Sequence, residues 1–339
     1  MTGPGDPAGR SFADLWRELP PCRDFFAVQG LPLPAADQTP AAYFAGLPVE
    51  ALDEAGAGRD ELAGQFARFV AALGRVEAGP AAVESLRILG GTDKRGRPER
   101  LDLTLVPGDV VALAGPTGSG KSRFLADVEW LAAGDTPTGR RVLLNGRPAD
   151  VPARLAASGK LVAQLSQNMN FVMDMAVGEF LTAHAESRLL PDAAGAAAEV
   201  AALANELAGE PFDAKTPLTA LSGGQSRALM IADVARLCAS PIVLVDEIEN
   251  AGIDRRQAIA LLTGSGKIVL MATHDPLLAL LASRRLVFAA GAVASVVDTG
   301  PAEAEALEAL SGLDAELSAL RQDLRLGRAL GWPPAAHKE

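Results

Sequence analysis

Cysteine, tyrosine, histidine and positive charge are all scarce in this 339-residue chain. Its two cysteines, Cys22 and Cys238, stand 216 positions apart and outside any cysteine or histidine cluster. That excludes a disulfide scaffold and a thiolate metal site, and a reducing cytosol is the expected setting. Acidic residues outnumber basic ones by 42 to 31, a formal charge of −11. Such a chain is poorly suited to holding a duplex nucleic acid by its overall field, and nucleic acid is not an expected partner. Long apolar runs are missing as well. The longest, residues 286–297, is broken by Ser295, whereas a membrane span needs about 20 apolar residues. The opening Met1-Thr-Gly-Pro-Gly-Asp has neither a basic nor an apolar segment, so it is expected not to be a secretory leader. The expectation is a cytoplasmic protein that reaches a membrane, if at all, through a partner.

What the chain does have is the material of a globular protein: 49% hydrophobic and 22% charged residues. Its length calls for two domains, or one large unit with an appendage. Eight of the 15 aromatic residues fall before position 70. The segment from Asp60 to Leu73 places apolar residues at 62, 66, 69, 70 and 73, a helical stripe. Residues 1–80 therefore read as a small helical domain, cut into short helices by turns such as Gly30-Leu-Pro-Leu-Pro34. Residues 81–299 alternate strand-like and helix-like patterns, the mark of an α/β fold with a mainly parallel sheet. Buried strands are expected at 110–114, 160–165, 242–245 and 267–271. Between about 170 and 235 alanine and leucine dominate with no such run, which reads as a helical insertion. Residues 300–339 read as one or two amphipathic helices and a tail.

Gly115, Pro116, Thr117, Gly118, Ser119, Gly120, Lys121 and Ser122 fit the pattern GxxxxGK[ST], directly after the strand at 110–114. A helical stripe of Phe124, Leu125, Val128 and Leu131 follows. Glycines in this context let consecutive backbone N–H groups turn inward around a phosphate, at the positive end of a helix dipole. Lys121 is then placed to neutralise the terminal phosphate oxygens and Ser122 to bind Mg²⁺. Asp246 ends the strand at 242–245 and Glu247 follows at once. A carboxylate in the first position can hold the water shell of Mg²⁺, and one in the second can polarise an attacking water.

Leu221-Ser-Gly-Gly-Gln225 separates this chain from other phosphate-loop classes. Together with Gly115–Ser122 and Asp246/Glu247 it makes the chain resemble the ATP-binding cassette (ABC) ATPases over residues 85–299. Further elements fall in the family's order. Gln167 stands where a Q-loop glutamine would, with Gln164 a weaker alternative; Asp254 of Ala251-Gly-Ile-Asp254 occupies the D-loop position; His274 matches the switch histidine. The resemblance implies Mg-ATP hydrolysis, with Gln167 near the metal and His274 on the γ-phosphate. It also implies that Ser222, Gly223, Gly224 and Gln225 clamp the nucleotide of a second cassette, so that ATP binding forms a head-to-tail homodimer. Two departures accompany it. No aromatic residue stands in 86–98, where transport cassettes usually stack adenine, and Arg95 or Arg97 is a candidate substitute. After Glu247 the run Ile248-Glu-Asn-Ala-Gly-Ile-Asp254 replaces a Pro-Thr-Ser-like sequence.

The work driven by such a motor has two readings. In the first, the ATPase remodels, assembles or reactivates a partner protein or soluble complex; the extra N-terminal domain and the unusual run after Glu247 favour it. In the alternative it serves a separate membrane permease. Met169, Met173 and Met175, beside Phe171 and Phe180, suit either an adaptable partner surface or the filling of the insertion's own core. The basic stretch of Lys94, Arg95, Arg97 and Arg100 reads as a solvated turn.

Overall fold

The computed structural model describes residues 9–78, 82–149, 154, 160–166, 170–246 and 253–329. The chain divides after Ala81 into two compact units.

The N-terminal unit is built from short helices: α1 (Phe12–Glu18), α2 (Asp24–Val28), α3 (Pro40–Ala45), α4 (Val49–Ala55) and the longer α5 (Arg59–Ala78). Their starts and stops follow local chemistry. Ser11 caps α1 by accepting from Asp14 N, Thr39 caps α3 ahead of Pro40, and Gly56 closes α4 in the left-handed region. Leu62, Phe66 and Val70 of α5 point into a core of Phe12, Phe25, Phe26, Tyr43 and Phe44. The rings meet mostly edge to face, for example Phe12–Phe26 at 5.5 Å and Phe26–Tyr43 at 5.4 Å.

The larger unit holds two sheets. A six-stranded sheet has the order β10-β9-β3-β8-β7-β6, formed by β3 (Val110–Ala114), β6 (Val162–Leu165), β7 (Ile242–Asp246), β8 (Ile268–Ala272), β9 (Arg284–Ala289) and β10 (Ala292–Asp298). It is parallel except for β10, which returns antiparallel to β9. The long apolar run at 286–297 is this hairpin. Central strands covered on both faces need apolar residues at nearly every position, and β3, β8 and β7 up to Val245 have them. Val111, Leu113, Leu244 and Leu270 face one core; Val110, Ala112, Val243 and Met271 face the other.

A second, antiparallel sheet of order β2-β1-β4-β5 comprises β1 (Leu86–Leu89), β2 (Asp102–Leu105), β4 (Arg141–Leu144) and β5 (Arg147–Pro148). Its inner residues Leu86, Ile88, Leu103, Leu105 and Val142 share the first core with the large sheet and with Phe124, Leu125 and Val128 of α6 (Lys121–Glu129). The helix after the phosphate loop is thus packed between two sheets. On the opposite face of the large sheet lie α9 (Gly223–Arg236) and α10 (Arg255–Gly264). Helix α9 also packs with α7 (Val177–Ser187) and α8 (Ala193–Leu207) around Leu181, Val200 and Leu229. Small side chains at Ala185, Ala197, Ala204 and Ala232 let these helices approach closely. After the short α11 (Pro276–Leu281) and the β9–β10 hairpin, the last described helix is α12 (Pro301–Arg325), held by Arg285–Glu303 and Arg255–Asp314 ion pairs.

This is the α/β architecture that the sequence implies, a mostly parallel sheet with a helical subdomain. The antiparallel sheet is the one layer for which the sequence reading names no strand.

Candidate functional site

Strands β3, β8 and β7 lie side by side and parallel, so their carboxyl ends finish along one edge. Register makes Leu113 the neighbour of Ala272, and Ala272 the neighbour of Asp246. The phosphate loop starts two residues beyond Leu113, and His274 stands two residues beyond Ala272. The edge thus gathers loop, histidine and carboxylate in the place where open α/β sheets bind ligands. Thr273 Oγ1 accepts from Asp275 N at 3.0 Å, and Asp275 in turn caps α11 and pairs with Arg255. The exposed His274 is therefore carried on a segment fixed at both sides.

The loop takes its shape from three glycines with positive φ: Gly115 (145°), Gly118 (75°) and Gly120 (116°). At Gly120 a Cβ would meet Gly291 Cα at 2.8 Å, so the loop leans on the β9–β10 turn and only glycine fits. Around Gly118 there is open space instead. Lys121 opens α6, and its ammonium folds back to donate to the carbonyls of Gly115 (2.6 Å) and Pro116 (3.3 Å). The Ser119 hydroxyl is 5% exposed as a residue and has no hydrogen-bond partner among the described residues. A lysine held by carbonyls and, among the described residues, a buried hydroxyl without a partner both fit a ligand rich in anionic acceptor oxygens. Thr117 and Ser122 are exposed on the open side of the loop.

Behind the loop lies an ionic cluster that the sequence reading passes over. Arg140, fully buried, donates to Glu99 (2.7 and 2.9 Å), to Asp127 of α6 (3.0 Å) and to the carbonyl of Gly291 (3.0 Å). Glu99 also accepts from Gly91 N (3.1 Å) and Val293 N (2.5 Å), and Asp127 accepts from Thr138 (2.8 Å). Burial works against the Arg140 charge, but the Glu99 and Asp127 bonds outweigh it and raise its pKa. The cluster joins α6, the β9–β10 turn and the loop before β2. These are the parts that fix the phosphate loop from below. In the sequence each member is one more charged residue among many, and no spacing marks them out.

Leu221-Ser-Gly-Gly-Gln225 opens α9 as a reciprocal cap. Ser222 Oγ accepts from Gln225 N (3.3 Å), Gln225 Oε1 accepts from Ser222 N (2.9 Å), and Gln225 Nε2 donates to Glu210 O (3.2 Å). Ser222 and Gly223 are exposed, with Gly224 just inside them, so this helix start faces away from the core. Asp254 caps α10 by accepting from Gln257 N at 3.0 Å. Gln164 lies within β6, and with its amide nitrogen turned toward Glu129 it donates to both carboxylate oxygens at 3.1 and 3.2 Å. It is held at the end of α6 remote from the phosphate loop. Gln167, Glu247, Glu249 and Met169 lie outside the described residues. Of the other methionines, Met175 is half-buried on the helical core, whereas Met173 is exposed beside the exposed Val172.

A family model described as "ABC transporter" matches residues 98–250. An uncharacterised ABC transporter ATP-binding protein of Methanocaldococcus jannaschii is 47% identical over 249 residues, which cover 73% of this chain and 95% of that one. The zinc import ATP-binding protein ZnuC of Paracoccus denitrificans is 30% identical over 196 residues, 55% of this chain and 67% of that one. Among solved structures, a dimeric bacterial ABC transporter cassette is similar in fold. Its TM-score is 0.50 at 22% identity, covering 63% of this chain and 99% of that one.

Proposed function

The chain belongs to the ATP-binding cassette family, whose cassettes bind ATP and hydrolyse it, and from that premise we propose that it is the nucleotide-binding subunit of a transporter with separate membrane subunits. The single observation that carries this reading is the match to nearly the whole length of a transporter ATP-binding protein at 47% identity. The zinc-import relative points the same way. Among the described residues no helix is long and apolar enough to cross a membrane. Weighed on sequence alone, remodelling of a soluble partner stands first; the relatives reverse that order. The observation on the other side is the N-terminal unit with its own aromatic core, which suits a second partner.

In the proposed cycle the triphosphate lies along Gly115–Ser122, and Lys121 exchanges loop carbonyls for phosphate oxygens. Among the described residues no three His, Cys, Asp or Glu side chains cluster as a ready metal site. Mg²⁺ is commonly bound by one or two protein groups together with substrate phosphates. Ser122, Asp246 and Gln167 would hold it. Bound there, the ion would supply positive charge against the terminal phosphates. Glu247 orients the attacking water and His274 holds the γ-phosphate, so the chemistry is positioning and charge stabilisation. Ser222–Gln225 of a second copy closes the site, with Asp254 near the seam. Two such sites give a two-fold assembly that stops at two cassettes, and nucleotide that binds the pair better than the single chain favours the pair by linkage.

The test uses the tagged full chain carrying Glu247→Gln, which keeps the side chain's shape but cannot activate water. With Mg-ATP its mass by light scattering should double from 35.0 kDa, and affinity isolation from native membranes should retain an integral membrane protein. Capture of a soluble enzyme complex in its place would restore the remodelling reading. Lys121→Ala should abolish nucleotide binding, and unchanged ATP affinity in that variant would refute the phosphate-loop assignment.

A further inference from the structure

The loop between β1 and β2 brings a second lysine to the phosphate loop. Asp93 shapes this loop: its Oδ1 accepts from Arg95 N (2.8 Å) and Arg97 N (2.9 Å), and its Oδ2 from Arg97 Nε (2.7 Å). The two arginines that could have stacked on a base are thereby placed differently. Arg97 is committed to Asp93, and Arg95 is exposed at the turn. Lys94 stands just before them, between Asp93 and Arg95. Its N–H donates to Ala290 O at 3.0 Å, and its side chain crosses Gly291, where a Cβ would meet Lys94 Cγ at 2.7 Å. Its ammonium then donates to Gly118 O, in the phosphate loop itself, at 2.8 Å. Gly120, Gly291 and the Lys94 stem form three layers in van der Waals register. A side chain on Gly291 would push the lysine off the loop.

Two lysines therefore bracket one turn of backbone, Lys121 on the carbonyls of Gly115 and Pro116 and Lys94 on that of Gly118. Among the described residues no carboxylate lies within ion-pair distance of Lys94. A neutral carbonyl is a weak partner for a cation, and an incoming phosphate oxygen displaces it readily. No aromatic ring stands in residues 86–98 to stack on a base.

We propose that Lys94 is a nucleotide-contacting residue that binds the phosphate chain by charge in place of base stacking, so that this site selects polyphosphates with little preference among nucleobases. The proposal rests on the reading of Gly115–Ser122 as the nucleotide site and adds how that site chooses its ligand. A contact to a shared triphosphate strengthens every nucleotide alike. Only a contact to the base edge or face separates adenine from guanine.

Calorimetric binding of ATP, GTP and inorganic tripolyphosphate to the full chain tests it, with hydrolysis silenced by Glu247→Gln. The parent should bind ATP and GTP within about tenfold of each other. Lys94→Met keeps the stem over Gly291 and removes the charge. It should weaken all three ligands by a similar factor of about ten, the usual effect of one charge-assisted hydrogen bond. Lys94→Arg should restore most of the loss, and thermal melting should be the same in all three proteins. An ATP preference above tenfold in the parent, or wild-type triphosphate affinity in Lys94→Met, overturns the proposal. Lys121→Ala separates the two levels of inference. If it abolishes binding while Lys94→Met does nothing, the phosphate loop stands and Lys94 falls. If it binds as the parent does, the nucleotide site itself is misplaced.

Discussion

Tyr43, the chain's only tyrosine, carries its phenol into the aromatic core of the N-terminal unit and donates to Pro32 O at 2.5 Å. Burial pushes its pKa from an ordinary 10.0 up to about 12, and pushes that of the fully buried Cys22 from 9.0 up to about 11. Both are acids whose neutral form is favoured by folding. Their stabilisation is complete below pH 9 and is lost as the pH climbs through the folded values, because the unfolded chain ionises first. Each shift corresponds to about 3 kcal/mol at most. Ultraviolet titration of the phenolate should therefore find Tyr43 protonated well past pH 10, until the unit unfolds; ionisation at an ordinary pH would show the ring to be open to water. At Arg140 the stakes are larger. Arg140→Met leaves Glu99 and Asp127 buried without their cation, a type of loss worth about 3–5 kcal/mol. Urea unfolding should register it, together with weaker ATP binding as the backing of Gly120 loosens. A loss below about 1 kcal/mol would mean that the cluster stabilises little and the loop is held by packing alone.

At the scale of elements, Ser222 has one duty in the structure, as a helix cap, and a second in the proposed cycle. As the cap of α9 it contributes about 1 kcal/mol, so Ser222→Ala should lower the unfolding free energy by that much. As part of a clamp on a second copy's nucleotide, the same change should weaken Mg-ATP-driven association much more. Equal small effects on both would reduce Ser222 to a cap. Elements also set how much of the fold the sequence discloses. Strands β3, β7 and β8 are apolar at nearly every position because both faces are covered, and they stand out at once. Leu86-Arg-Ile-Leu89 and Asp102-Leu-Thr-Leu105 bury alternate residues only. Four positions of alternation, with Arg87 paired to Asp102 outside, are too short a pattern to separate from a loop. The candidate site divides in the same way. Gly115–Ser122, Ser222–Gln225 and Asp246 are legible because each needs particular residues in consecutive or fixed positions. Lys94 and Arg140 are not, because what matters about them is which distant turn they reach, and Gly291 is the common destination.

At the scale of the molecule, every copy carries a formal charge of −11, so pairing two copies works against their mutual repulsion. Salt screens that repulsion within about 8 Å at physiological ionic strength. The Mg-ATP-bound pair of Glu247→Gln chains should form at lower protein concentration in 0.15 M salt (about physiological) than in dilute buffer. Dissociation by salt would show that local charge complementarity at the seam governs instead. The placement of α6 has a mechanical consequence. Its first residue binds the loop carbonyls, its apolar side meets both sheets at Phe124, Leu125 and Val128, and Asp127 anchors it to Arg140. A rod clamped on two sides cannot also be the lever. In the proposed engine α6 is the stator, and motion driven by nucleotide has to leave through other parts of the larger unit. Amide hydrogen exchange separates the two kinds of part: α6 should exchange slowly with or without Mg-ATP, while the amides around Asp254 and His274 should change with it.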